Sequence, residues 1–157
     1  MDYLAVKTIH LLSMVLLFGT GLGSAWYKWM ADRSGDLRHI AITNRQVVLA
    51  DWIFTTPTVL IQPLTGLWLA ELAGWRLSTP WIAASLGLYA LAGLCWLPVV
   101  WLQIRMRRLS EQALAADNGC LDPLYERDRR IWFALGVPAF LCMLAIVWLM
   151  VHKTTGV

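Results

Sequence analysis

Four long apolar runs, at 4–27, 47–72, 80–104 and 131–151, constrain this chain more than any other feature. Each reaches or exceeds the roughly 20 residues a helix needs to cross a hydrocarbon core of about 30 Å. A helix of a soluble domain carries one apolar stripe and one polar face, whereas these runs are apolar nearly all round. Hydrophobic residues make up 59% of the 157 positions and charged residues 15%, against about 25% in soluble proteins, so a water-facing surface is hard to assemble. The expected fold is all-α: a four-helix transmembrane bundle, up-down and antiparallel, forming a single integral membrane domain over 1–157.

Charge sets the expected orientation. Lys28, Arg33, Arg38 and Arg45 lie between the first two runs, and Arg105, Arg107, Arg108, Arg127, Arg129 and Arg130 between the last two. The opposite side has only Arg76 and Lys153. The positive-inside rule then places both long connections in the cytoplasm and both termini outside. Tryptophans agree as headgroup belts: Trp26, Trp29, Trp52, Trp101 and Trp132 near one boundary, Trp68, Trp75, Trp81 and Trp148 near the other. The start, Met-Asp-Tyr-Leu, lacks a basic n-region and a small-residue cleavage site, and reads as the first spanning helix.

Local signals mark the ends. Thr79-Pro80 starts the third helix, which is expected to run on through 105–116 to a left-handed stop at Asp117-Asn118-Gly119. Asp122-Pro123 starts the stretch that leads into the fourth span, and Ser34-Gly35-Asp36 breaks the first connection. Gly19, Gly21 and Gly23, with Ser24 and Ala25, have small-x-x-x-small spacing, read as close helix packing.

The second run carries Asp51, Thr55, Thr58, Gln62 and Thr65, spaced 4, 3, 4 and 3. At about 100° per residue these side chains share one narrow arc, and lipid cannot satisfy them, so the seam is expected to face the bundle interior. Pro57 and Pro63 should free the carbonyls of Ile53 and Val59. The seam reads either as interhelical hydrogen bonding or as the wall of a polar pocket. Asp51 is expected to pair with Arg45 or an arginine of the third connection.

Lys7, His10, Met14, Leu17 and Gly21 share a face of the first helix. An imidazole at that depth turns inward, as a hydrogen-bonded structural residue or as a ligand, and inward histidines of four-helix bundles commonly hold haem iron. His152 reads as interfacial and His39 as a loop residue. Cys95, Cys120 and Cys142 form no C-x-x-C, and Cys95 and Cys142 read as small packing residues. Paired catalytic carboxylates, a nucleophile–base pair, a phosphate-binding glycine loop and nucleic-acid motifs are all missing from the sequence, so hydrolase, kinase and nucleic-acid-binding readings have no support.

The runs Ala50-Asp51-Trp52-Ile53-Phe54-Thr55-Thr56-Pro57 and Leu60-Ile61-Gln62-Pro63-Leu64-Thr65-Gly66, with Lys7-x-x-His10 and Trp132 to Phe140, resemble the bacterial integral membrane family DUF2269. That resemblance covers nearly the whole chain and implies a multi-pass protein of the bacterial cytoplasmic (inner) membrane, with no established activity. In plan the chain is also similar to HemJ-type protoporphyrinogen oxidases and CopD-like copper proteins. The HemJ-type likeness rests on Lys7-x-x-His10 and on Pro57 followed nine residues later by Gly66. It implies haem b, held by the histidine and by a methionine two residues after the proline. His10 matches the histidine; Val59 stands at the methionine position, and Trp26-Tyr27-Lys28-Trp29 replaces that family's Tyr-x-Pro-Arg. A haem held by His10 with a different or absent sixth ligand is what remains implied. CopD-like chemistry would draw on His10, Met14, Met150 and His152.

Two functions follow as expectations. In the first the protein binds haem b or a porphyrin, with His10 as axial metal ligand, Lys7 meeting a propionate, Met14 and Gly21 lining the slot, and Thr58 and Gln62 forming the far wall; an enzyme of this kind would be a haem-linked membrane oxidoreductase. In the second it is a non-enzymatic membrane subunit, assembly partner or small transporter, in a homodimer or with another membrane subunit.

Overall fold

The computed structural model describes residues 2–116 and 120–152, and among them holds five α-helices. These are α1 (Tyr3–Ser34), α2 (Leu37–Ala50), α3 (Thr56–Leu72), α4 (Pro80–Ala115) and α5 (Pro123–His152). A π-helical turn, Asp51–Thr55, joins α2 to α3 so that Leu37–Leu72 forms one continuous rod. Four rods are therefore long and apolar enough to cross a membrane, as expected.

The breaks between rods follow local chemistry. Gly35 takes a left-handed φ of 68°, which a side chain would strain, and ends α1. The Asp36 carboxylate then accepts from the Arg38 backbone N–H at 2.9 Å and caps α2. Pro80 opens α4, while the Thr79 hydroxyl donates back to the Arg76 carbonyl at 2.6 Å instead of capping. Asp122 accepts from the Leu124 N–H at 2.7 Å as α5 begins. The expected stop at 117–119, and Lys153, lie outside the described residues.

Neighbouring rods run antiparallel. The start of α1, the end of α3, the start of α4 and the end of α5 line one pocket, through Tyr3, Ala70, Trp81 and Met150. This is the termini end. At the other, basic end the close of α1 meets α2, the close of α4 and the start of α5. Leu12, Val15, Leu60, Leu64, Leu94, Leu97 and Leu141 all stand exposed around the outside. Such a continuous apolar exterior marks a lipid-facing surface.

At 1.5 Å per residue, α1 and α4 are roughly 48 and 54 Å long, well beyond the hydrocarbon core. Much of the connection at 28–46 is thus helix, and α4 and α5 carry helix through 105–115 and 123–130 as the sequence leads one to expect. These extensions pack Ala31, Ile40, Leu102, Met106, Tyr125 and Trp132 into a core. Inside it lies a polar network. Lys28 Nζ donates to Asn44 Oδ1 at 2.8 Å, to Tyr125 Oη at 3.0 Å and to Asp32 Oδ2 at 3.2 Å. Tyr125 Oη donates to Asp32 Oδ1 at 2.6 Å, and Asn44 Nδ2 reaches Ser110 Oγ at 3.0 Å. Arg105 grips Asp128 through both Nε and Nη2 while its guanidinium lies 4.0 Å from the Trp101 ring centroid.

Three expectations need correcting here. Lys28 is wholly buried, its charge met by Asp32, and so is not an orientation signal at the headgroups. Trp132 is buried, its ring in the core, and does not belong to an interfacial belt. A Cβ added at Gly19, Gly21 or Gly23 would meet nothing within 4 Å, so these glycines do not bring two helices of this chain together.

Candidate functional site

The polar seam does face inward: Asp51, Thr55, Thr58, Gln62 and Thr65 are all buried. Its helix accommodates two prolines differently. Upstream of Pro57 the chain widens into the π turn, and the Thr56 N–H donates to the Asp51 carbonyl five residues back. At Pro63 the helix stays regular, and the Val59 carbonyl that the proline leaves unpaired accepts from Tyr89 Oη at 2.5 Å. Thr58 donates to backbone carbonyls of its own helix, at 2.7 Å to Phe54 and 2.9 Å to Thr55.

His10 projects from α1 onto this seam. Its Nδ1 lies 2.8 Å from Thr65 Oγ1, whose hydroxyl is also 2.7 Å from the Ile61 carbonyl. The Thr65 hydroxyl has three acceptors in reach, the Ile61 and Gln62 carbonyls and His10 Nδ1, so the contact accommodates either imidazole tautomer. In the Nδ1–H tautomer the ring donates to Thr65 and Nε2 keeps its lone pair, the arrangement by which proteins hold ligating histidines. Gly66 makes room for the ring: a Cβ there would sit 3.3 Å from His10 Cε1.

A cavity of about 410 Å³ opens at the termini end, within the range of small-molecule pockets. Lys7, His10, Met14 and Gln62 line it, together with Gly66, Trp81, Met143 and Met150. Lys7 is exposed, its Nζ 5.9 Å from the Tyr3 ring centroid. Two buried polar atoms on this lining, Gln62 Oε1 and Trp81 Nε1, have no hydrogen-bond partner among the described residues. Buried polar atoms are nearly always paired, so an orphan acceptor and an orphan donor beside one cavity point to a ligand or to water.

The remaining site candidates fall elsewhere. Gly21 lines a second cavity, of about 330 Å³, nearer the basic end. Thr58 lines neither cavity, its hydroxyl being bound within its own helix. His152 is exposed, stacked on Trp148 with 3.6 Å between ring centroids. Asp51 does not pair with an arginine. Its carboxylate accepts from Thr55 Oγ1 at 2.8 Å and from Gln103 Nε2, and Gln103 Oε1 in turn accepts from Trp132 Nε1 at 3.3 Å.

Sequence reasoning missed Trp81, Tyr89 and Met143. Tyr89 carried a usable signal, because a phenol inside an apolar run must find an internal partner. Met143 carried none, since a methionine in a spanning run is ordinarily packing.

No curated protein and no solved structure matches this chain. A family model described as a predicted integral membrane protein (DUF2269) matches residues 4–154. With nearly the whole chain matched and four spans in the fold, the protein belongs to the DUF2269 family of predicted integral membrane proteins.

Proposed function

We propose that this is a protein of the bacterial cytoplasmic (inner) membrane whose termini-end pocket binds haem b or a related porphyrin, with His10 as the axial ligand. The orientation rests on the arginines, which stay concentrated at the basic end when Lys28 is set aside. That end faces the cytoplasm and the pocket opens outside.

The observation that carries the ligand reading is the buried His10 imidazole, engaged through Nδ1 by Thr65 on the wall of a mostly apolar cavity. A protein site for a bare metal ion typically supplies three or four ligands. Among the described residues no group of three or more His, Cys, Asp or Glu offers that. A metal that arrives inside a macrocycle needs only an axial donor, and one imidazole suffices. Lys7 suits a propionate at the mouth. Val59 lines the other cavity, so a thioether sixth ligand would have to come from Met14, Met143 or Met150. Bound haem would supply one-electron redox chemistry. The chain's own residues would hold the imidazole tautomer through Thr65 and surround the macrocycle with apolar side chains.

Detergent-purified protein from haem-replete cells should show a Soret band that shifts on reduction and is lost in His10→Ala. Colourless, metal-free protein from such cells contradicts the proposal. A second reading is favoured by the three thioethers that share the cavity with His10, because soft sulfur ligands select Cu(I). Stoichiometric copper without a Soret band would establish it. Protein carrying neither would fit a membrane subunit, assembly partner or small transporter.

A further inference from the structure

We propose that the second cavity, which shares Phe18, Tyr89 and Met143 with the first, is a further binding site, for a lipophilic organic cation, with Asp51 as its counter-ion. The proposal does not depend on the haem reading.

The cavity, of about 330 Å³, is lined by Asp51, Thr55 and Gln103 on one side and by Phe18, Trp96 and Phe133 among its aromatic residues. The carboxylates buried at the basic end all have a cation except this one. Asp32 has Lys28 and Asp128 has Arg105; even the more exposed Glu111 and Glu126 have Arg107, Arg129 and Arg130. Among the described residues no ion pair involves Asp51, although it is 7% exposed. Its two oxygens are each held by one neutral donor, Thr55 and Gln103. Those donors orient the group without neutralising it. An ionisable side chain inside a membrane bundle is costly unless something completes it.

The chemistry of the wall selects the occupant. A small inorganic cation needs six or more oxygens to replace its hydration shell, and one carboxylate with two side-chain partners cannot supply them. A quaternary ammonium ion has no tightly held shell, and aromatic faces stabilise its diffuse charge. Leu22 and Leu141 line the same cavity and are exposed on the lipid-facing exterior, so entry is sideways from the bilayer. A guest that partitions into lipid and carries positive charge fits both the route and the wall.

The test is calorimetric titration of the full-length, detergent-purified protein with benzyltrimethylammonium. Saturable 1:1 binding is expected. Asp51→Asn should weaken it roughly tenfold or more, the scale of a lost charge partner and about 1.4 kcal/mol of binding. His10→Ala should leave it unchanged, which separates this site from the haem pocket. A second comparison needs no variant: neopentylbenzene, with carbon in place of the charged nitrogen, should bind the wild-type protein far more weakly. Absence of saturable cation binding, equal binding by Asp51→Asn, or equal binding of the neutral isostere would each overturn the proposal; the last would mark the cavity as an acyl-chain groove.

Discussion

The two ends of the bundle handle buried polar groups in opposite ways. At the basic end the three Lys28 ammonium contacts are all made, to Asn44, Tyr125 and Asp32, and Asp128 is held by Arg105. Lys28, Met106, Ser110 and Asp128 are 0% exposed there. At the termini end Gln62 Oε1 and Trp81 Nε1 lack partners among the described residues and border an open cavity. Polar networks that are complete rigidify a fold, whereas incomplete ones cost stability unless a ligand finishes them. The contrast fits structural integrity for the Lys28 network and the binding role proposed for the His10 pocket.

The sharpest break of that contrast would come from Lys28→Met. It leaves Asp32 buried without its cation, and removing one member of a buried pair costs about 3–5 kcal/mol. Unfolding in detergent should show the loss, and wild-type stability in this variant would mean the network does not hold the basic end together. Tyr125→Phe comes next. It deletes the hydroxyl that accepts from Lys28 and Asn44 and donates to Asp32, and should destabilise by about 1–3 kcal/mol. A Tyr125→Phe protein as stable as the parent would remove that hydroxyl from the account. Gly66→Ala should change stability by within about 1 kcal/mol, because alanine favours the helix while its Cβ presses on His10. Its readout is the ligand: a displaced imidazole should alter the Soret position or lower haem occupancy, and identical spectra would show that Gly66 does not set the His10 ring.

How much of this the sequence could disclose depends on range. The spans and the inward seam were legible because lipid forces any polar residue to one side of a helix, and a 4-3-4-3 spacing is a local property. Pro63 leaving the Val59 carbonyl unpaired was legible for the same reason. Its partner Tyr89 was not, since nothing in the sequence shows which residue of α4 faces Val59. Lys28 was misread because the partner that draws it inward, Tyr125, lies 97 residues away. The Asp51 partner was misassigned because formal charge pointed to an arginine, whereas the fold brings Gln103 alongside. Thr58 shares the seam by periodicity, but its hydroxyl turns back to its own carbonyls, which a helical wheel does not register. His10 was found by type and depth. Its hydrogen-bond partner Thr65, 55 residues away, was not legible.

The division of labour between the ends is tested most directly by the detergent unfolding stability of Gln62→Leu. This change removes a buried acceptor that has no partner among the described residues, so stability should stay within about 1 kcal/mol of wild type or rise slightly. A loss of about 3 kcal/mol, comparable to that of Lys28→Met, would show that Gln62 is structural glue and that the termini end is no different from the basic end.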